Sequence, residues 1–415
     1  MNSNTLFGNV PDDWTVSSIG DIATLRQGLQ IAKELRTDKP KEGYIPLLKI
    51  TDLPSREFSE YVTDIKPQYI AKEEDIIYTR TGQVGLVYTD IKGCVHNNCF
   101  KVIVDYNKFN KKYIYYYLKS DRVYEYANQV ASGSVQKDLK HSAFKCCPIG
   151  YPSLPEQNSI ASTLSCLDDM IELNNRINQV LEEIAQAIFK HWFIDFEFPN
   201  EDGEPYKSNG GEMVDSELGE IPKGWRVVEL GDVTTNIRER TKSNDYKVLS
   251  TVNTGDLKLS EEYFTKQVFS KDLSKYIIVR IKEFAYNPAR VNIGSIGMNE
   301  YDFDGCVSPV YVVFKSEEDF HWFFKMFIKT KNFKSEVVKR ASGSVRQSMN
   351  YSDFALIKIV YPPKGVIVKF NQFFETCYLA QREFTKEMEI LSDIRDTLLP
   401  KLMSGEIRVP MEEVV

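Results

Sequence analysis

The feature that most constrains this 415-residue chain is that its second half repeats its first half at an offset of about 210 residues. Residues 11–22 read PDDWTVSSIGDI, and residues 222–233 read PKGWRVVELGDV. The run ASGSV occurs at 131–135 and again at 341–345. A repeat of this length is the size of a domain, and the whole chain is too long for one hydrophobic core. The sequence therefore predicts two copies of one fold.

Each copy is followed by a stretch whose apolar residues recur every seven positions, the spacing of a helix that packs along a partner helix. The two stretches are again about 210 residues apart, which favours two long helices that pair with each other. Asn174 lies on this predicted seam, where it either fixes the register of the helices or sits at a frayed edge. The residues predicted for helix pairing and partner docking are Leu167, Met170, Ile177, Leu181, Ile184, Ile188, Phe384, Leu391, Ile394 and Leu398.

Within each copy the pattern is that of a mixed α/β (α+β) fold. Short β-branched runs at 44–50, 75–78 and 100–104 predict strands. Helical spacing covers 113–130 and 320–340, whose aromatic residues are predicted to fill the core rather than to stack on bases.

The predicted architecture is two globular heads joined by two long antiparallel coiled-coil helices, with an internal pseudo-two-fold repeat. Its expected divisions are head 1 (1–152), a central helix (153–198), a linker (199–216), head 2 (217–362) and a C-terminal helix (363–409). The linker is rich in turn-forming residues, so the central helix is expected to end near Phe198, and a Ser404-Gly405 cap is expected to end the second.

The net charge of −7 is distributed unevenly along the chain. Residues 156–213 hold 12 acidic and 3 basic side chains, whereas residues 1–155 hold 20 basic and 18 acidic ones, and residues 214–376 hold 24 and 21. The heads are therefore slightly basic, which is compatible with nucleic-acid binding. Seven irregularly spaced cysteines, no apolar run of membrane-spanning length and no signal segment lead us to expect a reducing cytoplasm and no membrane contact.

A polar loop with the sequence Ser-Gly-Ser occurs once in each half, and these two loops are the strongest candidates for DNA contact. Small hydroxyl donors beside a cation suit phosphate oxygens, and Arg and Gln also bridge base edges in the major groove. A helix cap and turn would explain the same Ser-Gly-Ser sequence equally well. A second set of residues follows equivalent strands and differs between the halves. Such a difference is expected if the two halves recognise different DNA sequences. It is equally expected if these are surface positions under no constraint. The candidates are Arg80, Thr81, Gln83, Ser132, Gly133, Ser134, Gln136, Lys137, Arg290, Asn292, Ser342, Gly343, Ser344, Arg346 and Gln347.

Motifs that carry chemistry are missing from the sequence. There is no glycine-rich phosphate loop, and the run 287–290 (NPAR) lacks the second proline and the aromatic residue of the amino-methyltransferase motif. Cys94, His96 and Cys99 are too few for a structural zinc site, and the second half keeps only Cys306. We therefore expect no catalytic residues, no metal and no cofactor in this chain.

Three segments resemble the specificity subunits of type I restriction-modification systems, and the resemblance covers nearly the whole chain. They are 188–196 (IFKHWFIDF), 215–225 (DSELGEIPKGW) and 398–409 (LLPKLMSGEIRV). Pro155-Glu156-Gln157 at the start of the first long helix also fits, whereas Pro363-Lys364-Gly365 departs from the pattern.

The resemblance implies a bacterial or archaeal host-defence protein that is not itself an enzyme. Each head would be a target-recognition domain that reads one half of a split double-stranded DNA target, and the helices would act as a ruler. Two methyltransferase subunits would bring S-adenosylmethionine and methylate adenine, and restriction subunits would add ATP- and Mg-dependent cleavage. The alternatives are a self-sufficient DNA methyltransferase or nuclease, and a coiled-coil adaptor that does not bind DNA.

Overall fold

The structure is a computed structural model that describes residues 4–133, 136–252, 254–264, 266, 268–340 and 348–410. The chain divides into two compact units. Unit 1 consists of Met1–Arg176 together with Phe384–Val415, and unit 2 is Ile177–Glu383.

Unit 1 contains twelve short strands among its described residues. They are β1 (Asn4–Thr5), β2 (Gly8–Asn9), β3 (Thr15–Ser18), β4 (Ala23–Gln27), β5 (Ile45–Leu48), β6 (Tyr61–Val62), β7 (Ile70–Ala71), β8 (Ile76–Thr79), β9 (Val87–Tyr88), β10 (Gly93–Val95), β11 (Cys99–Val104) and β12 (Pro148–Tyr151). Its helices are α1 (Ile19–Ile22), α2 (Lys111–Lys119), α3 (Asp121–Val130), α4 (His141–Lys145) and the part of α5 (Leu154–Phe193) up to Arg176.

Unit 2 also contains twelve short strands among its described residues, and it has one additional short helix, Ser260–Tyr263. Its strands are β13 (Met213–Ser216), β14 (Gly219–Pro222), β15 (Arg226–Glu229), β16 (Thr234–Ile237), β17 (Lys247–Thr251), β18 (Leu257–Leu259), β19 (Ile277–Val279), β20 (Phe284–Tyr286), β21 (Ile296–Met298), β22 (Gly305–Val307), β23 (Val312–Ser316) and β24 (Lys358–Tyr361). Its helices are α6 (Leu230–Val233), α7 (Ser260–Tyr263), α8 (His321–Phe327), α9 (Lys331–Arg340), α10 (Tyr351–Ala355) and α11 (Lys364–Ser404), of which residues from Phe384 onward belong to unit 1.

The two units share one sheet topology. Unit 1 has four-stranded sheets in the orders β4-β11-β8-β9 and β6-β5-β10-β7, and paired strands β12-β3 and β1-β2. Adding twelve to each strand number gives the orders in unit 2: β16-β23-β20-β21, β18-β17-β22-β19, β24-β15 and β13-β14. A parallel pairing is also equivalent in the two units, β5 with β10 and β17 with β22. The predicted mixed fold and its internal repeat are confirmed.

Both predicted aromatic helices are divided in two. In unit 1 the break falls at Ser120, whose hydroxyl accepts a hydrogen bond from the Val123 amide at 3.5 Å and so begins α3. In unit 2 the hydroxyl of Thr330 accepts from the Phe333 amide at 3.2 Å and begins α9. The two hydroxyl residues are 210 positions apart, so the break belongs to the repeated fold.

The aromatic side chains of these helices fill the cores. Tyr113 and Tyr117 are fully buried in unit 1, as are Phe324 and Phe333 in unit 2. The hydroxyl of Tyr113 donates to the Gly150 carbonyl at 2.9 Å, which satisfies the polar end of a buried ring. Burial raises the pKa of Tyr113.

The long helices run antiparallel within each unit. In unit 1, Arg395 on α11 donates to Asp168 on α5 at 2.7 Å, and Asn174 donates to Glu387 at 3.2 Å. The polar seam residue Asn174 is buried and bonded to the partner helix. In unit 2, the rings of Phe189 and Phe370 lie 6.0 Å apart.

The two helix ends differ in how well the sequence located them. Helix α11 ends at Ser404, and Gly405 takes the left-handed conformation with φ +73°, as predicted. Helix α5 ends at Phe193, five positions before the expected Phe198. The chain turns at Phe196, with φ +63°, and Phe196 and Phe198 pack on Trp225 with ring centroids 5.5 and 5.1 Å away. Packing against the core of unit 2 thus replaces the last helical turn.

Candidate nucleic-acid interface

Three strand ends meet at one edge of the β4-β11-β8-β9 sheet of unit 1. Strand β4 ends at Gln27, β8 ends at Thr79 and β11 begins at Cys99, and these residues are neighbours because Phe100 pairs with Gln27 and Cys99 with Thr79. The antiparallel order brings the end of one strand beside the start of the next. The residues that follow β8 therefore lie at the same edge as Gln27.

Arg80 and Thr81 are held at this edge by the carboxylate of Asp138. The Arg80 guanidinium donates to both oxygens of Asp138 at 2.8 Å and to the Gln27 side chain at 2.6 Å. The Thr81 hydroxyl donates to Asp138 at 2.6 Å. Nη2 makes both contacts to the carboxylate and Nη1 makes the contact to Gln27, so two separate partners hold the guanidinium. Arg80 is thus oriented and neutralised within the protein.

Ionisation at this edge follows from those contacts. The hydrogen bond from Thr81 and the nearby Arg80 lower the pKa of Asp138, so the carboxylate stays charged near neutral pH. The neighbouring His141 ring packs edge-on against Phe100 with centroids 4.8 Å apart. Burial lowers the pKa of His141, so its imidazole is uncharged at neutral pH.

The first polar loop lies against the same edge. Ser132 and Asp138 exchange backbone hydrogen bonds at 3.0 and 2.7 Å, and the Gly82 amide donates to the Lys137 carbonyl at 3.0 Å. Gly133 has φ +106°, and a Cβ there would lie 2.2 Å from the Gln136 carbonyl oxygen, so only glycine fits this turn.

The side chains of this loop face outward. The Lys137 ammonium donates to Asn128 at 2.9 Å, and Gln83, Ser132 and Gln136 are exposed. The structure therefore brings the unit 1 candidates 80–83 and 132–137 together, apart from Ser134, which lies outside the described residues.

In unit 2 the equivalent edge carries different residues. The Met349 amide donates to the Pro288 carbonyl at 3.1 Å, just as the Leu139 amide donates to the Arg80 carbonyl at 2.9 Å. Pro288 thus occupies the position of Arg80.

Arg290 and Asn292 follow in a 3-10 turn, Val291–Ile293. The Arg290 side chain is exposed and makes no ion pair with any residue that the structure describes, and Asn292 is half-buried. The candidates Ser342, Gly343, Ser344, Arg346 and Gln347 lie outside the described residues.

Sequence reasoning missed Gln27 and Asp138, the two residues that hold Arg80. Both are separated from Arg80 by more than fifty positions, so their meeting depends on strand order. The sequence did contain a signal for Asp138. This residue directly follows the candidate Lys137, and the second half has Ser348 at the equivalent position, so the carboxylate is present in one half alone.

The residues predicted for the helix seam differ in burial. Leu391 is buried, and Leu167, Ile177, Leu181, Ile188, Phe384 and Leu398 are half-buried. Met170, Ile184 and Ile394 are exposed by 39%, 41% and 41%. In unit 2 the buried line on α5 is Ala185, Phe189 and Phe193, which belong to one aromatic core together with Phe370 and Phe374 of α11. A straight helix also drifts by about 20° per heptad from a strict seven-residue repeat.

The described part of the chain offers no group of three His, Cys, Asp or Glu side chains that could hold a metal ion. Within the same residues, no helix is both long and apolar enough to cross a membrane.

A duplicated mixed sheet fold with long helices, and with different polar side chains at an equivalent edge of each copy, defines a class of internally repeated two-unit proteins. Comparison with known proteins is consistent with this class. Residues 11–183 match the family model of the type I restriction modification DNA specificity domain.

Two relatives extend the match beyond that domain. The type I restriction enzyme MjaIX specificity subunit of Methanocaldococcus jannaschii is 29% identical over 434 residues, which cover 98% of this chain and 96% of the relative. The HindI specificity subunit of Haemophilus influenzae is 24% identical over 404 residues, covering 81% and 87%.

A solved structure shares the fold. The crystal structure of the type I restriction-modification system S subunit from M. genitalium superposes with a TM-score of 0.58 at 18% identity, covering 95% of this chain and 96% of that one. Over nearly its whole length the chain is thus similar to type I restriction-modification specificity subunits, and residues 11–183 match the family's DNA specificity domain. The relatives that it matches are named as specificity subunits.

Proposed function

We propose that this chain is the sequence-reading subunit of a type I restriction-modification complex, and that each unit reads one half of a bipartite, asymmetric DNA target. The observation that carries this proposal is the identical strand order of the two units combined with different side chains at one equivalent edge. Arg80, Thr81 and Asp138 in unit 1 give way to Pro288, Ala289 and Ser348 in unit 2. Two copies of one fold with unlike edges suit two unlike half-sites.

The chemistry of the unit 1 edge supports DNA as the ligand. Gln83, Gln136 and Lys137 are exposed beside the oriented Arg80, so amide and cationic donors lie together. Such groups donate to phosphate oxygens and to the acceptor atoms of bases in the major groove. The hydrogen-bonded group of Gln27, Arg80 and Asp138 would keep these donors in place while DNA binds.

The long helices would set the gap between half-sites and dock two methyltransferase subunits. Apolar side chains that face solvent favour a docking role, since Met170, Ile184 and Ile394 are exposed on α5 and α11. S-adenosylmethionine would be bound by the methyltransferase subunits, and ATP and Mg by restriction subunits. A cytoplasmic location remains a prediction.

A selection experiment tests the proposal. The chain, reconstituted with its methyltransferase subunit, is incubated with a pool of random duplexes, and the retained DNA is sequenced. We expect a motif of two short blocks at a fixed gap, bound with an affinity that falls as salt rises. Retention without sequence preference would contradict target recognition.

Two substitutions separate DNA binding from a protein-only adaptor role. Lys137→Ala and Arg346→Ala should each weaken binding of the selected duplex, because each removes a cation from a candidate contact loop. The matched control is Lys190→Ala, since Lys190 is exposed on α5 and paired with Asp195 at 2.6 Å. Unchanged affinity in both loop variants would favour the adaptor.

A further inference from the structure

A cleft in unit 2 lies beside the strand-end edge and was not singled out in the sequence. It is formed where β16 ends, where β23 begins and where the chain approaches β19 and α10. Its lining contains Asn236, Arg238, Arg240, Lys275, Tyr311 and Asn350. Three of these residues are cations, and no acidic residue lines the cleft among the residues that the structure describes.

The backbone explains why the two arginines share a side. Beyond β16 the chain pairs with β19, since the Ile278 amide donates to the Glu239 carbonyl at 2.9 Å and Arg240 forms an antiparallel bridge with Ile277. Alternate residues of such an extended segment face the same side. Asn236, Arg238 and Arg240 therefore line the cleft together.

The same alternation keeps the carboxylate of Glu239 out of the cleft. Glu239 lies between the two arginines in sequence and so faces the opposite side, where its carboxylate accepts a hydrogen bond from Arg280 at 2.6 Å. Arg238, Arg240 and Lys275 are exposed and form no ion pair within the described residues. Neither arginine therefore has a carboxylate partner in that part of the chain, and Lys275 has a coulombic interaction with the exposed Asp272 without a direct ion pair.

Two other clefts hold equal numbers of cations and acids. A cleft of unit 2 at Arg226 and Lys364 also contains Glu317 and Glu318. In unit 1, a cleft contains Arg36 and Lys41 together with Glu34 and Asp64. A further cleft of unit 2 is lined by Lys329 and Lys334 without an acid, but Lys329 is paired with Glu182 at 2.9 Å. Three cations without an acidic lining residue therefore set the present cleft apart from these, on a chain whose net charge is −7. Such a group attracts a polyanion.

At the equivalent strand end of unit 1, the positions of the two arginines are occupied by uncharged residues. The repeat places Gln27 and Leu29 where unit 2 has Arg238 and Arg240, and the nearby cation Arg80 is paired with Asp138. The two units thus differ in electrostatics at one shared position of the fold. Unit 2 has an open cationic cleft where unit 1 has a closed ion pair.

We propose that this cleft binds the phosphate backbone of the DNA duplex, with Arg238, Arg240 and Lys275 each neutralising a phosphate. The inference rests on the proposed function, because it assumes that unit 2 meets DNA. The Asn350 side chain would orient the strand: its oxygen accepts from the Asp353 amide at 3.0 Å, which leaves its amide donors for a phosphate oxygen. The cleft is a positioning surface, so it fixes the duplex without reading bases.

Salt dependence of binding measures the number of neutralised phosphates. Each one contributes about 0.9 to the slope of log affinity against log salt concentration. The full chain with Arg238→Gln and Arg240→Gln should lose about 1.8 from this slope on a labelled random-sequence duplex. Between about 50 and about 200 mM salt, its affinity should therefore fall about 12-fold less than that of the unsubstituted chain.

Two matched variants complete the experiment. Lys331→Gln with Lys369→Gln makes the same change in charge at two exposed lysines of α9 and α11, and should leave the slope unchanged. Arg238→Lys with Arg240→Lys keeps the charge and should keep the slope. Each variant is also unfolded by heating. A melting temperature equal to that of the unsubstituted chain shows that the fold is intact.

The outcomes separate the cleft from the function. If the unsubstituted chain binds no duplex even when it is reconstituted with its methyltransferase subunit, the proposed function fails and the cleft assignment fails with it. If it binds, and the Arg→Gln variant keeps the full slope, only the cleft assignment fails. If the Arg→Lys variant loses the slope, or changes the selected bases, the arginines contact bases and the phosphate assignment is overturned.

Discussion

Replacing Arg408 by alanine should destabilise unit 1, because this residue joins the end of the chain to its beginning. The Arg408 guanidinium donates to Glu156 at 2.7 Å, at the start of α5, and to Asp13 at 2.9 and 3.2 Å. Glu156 is only 3% exposed. Nearby, a Cβ on Gly405 would lie 2.6 Å from the Pro11 ring, which shows how closely the two ends of the chain approach.

The size of the effect follows from the burial of Glu156. Removing one partner of a fully buried ion pair costs about 3–5 kcal/mol, because the other charge is left without compensation. The Arg408 side chain is 44% exposed, so water screens part of this interaction. We therefore expect a loss of about 2–3 kcal/mol, which lowers the melting temperature of a unit of this size by about 4–12 °C.

A double-mutant cycle with Glu156→Gln measures the coupling. The free energy of unfolding comes from calorimetry, and hydrogen exchange at residues 398–404 reports whether the end of α11 opens. Asp13→Asn is the control, since that side chain is 63% exposed and should contribute little. A coupling energy below about 0.5 kcal/mol, or unchanged exchange at 398–404, would refute the reasoning.

Three further predictions follow from the structure. Asp138→Asn should lower the free energy of unfolding at neutral pH, as measured by urea unfolding. Because the pKa of Asp138 is lowered in the folded state, the difference from the unsubstituted chain should persist down to about pH 4. At lower pH the native carboxyl becomes protonated, and the difference should vanish. Phe193→Ala should cost about 3–5 kcal/mol in urea unfolding, since its ring packs on Trp225 and Phe370; a loss below 1 kcal/mol would be inconsistent. Matched seven-residue insertions after Arg176 and after Glu383 should widen the gap in the selected DNA motif by about three base pairs. The reason is that seven helical residues add about 10 Å to each long helix. An unchanged gap in an assembled complex would contradict the ruler role.

The repeat and the heptads predicted most of the architecture because both depend on local spacing. The matching of residues 11–22 with 222–233 correctly indicated two units of one topology, and the seven-residue spacing of apolar residues correctly indicated two long helices. The burial of Tyr113 and Phe324 followed from their helical spacing. The breaks at Ser120 and Thr330 were missed, although both are hydroxyl residues of the type that begins a helix.

The candidate site was less accessible to sequence reasoning because its geometry comes from strand order. Arg80 was a candidate for DNA contact, but its pairing with Asp138 requires β8 and the loop after α3 to meet across 58 positions. Arg238 and Arg240 looked like ordinary surface charges until their pairing with β19 placed Glu239 on the opposite side. The end of α5 at Phe193 likewise depends on Trp225, which is 32 residues away.

The most direct test of the central claim is to exchange one head and read the methylation pattern. Residues 1–152 are replaced by the corresponding residues of another specificity subunit, and the hybrid is expressed with its methyltransferase subunit in a host whose genome is then sequenced for methyladenine. The account predicts that one block of the two-part motif changes, while the other block and the gap stay the same. Changes in both blocks, or in neither, would contradict the claim that each unit reads its own half-site.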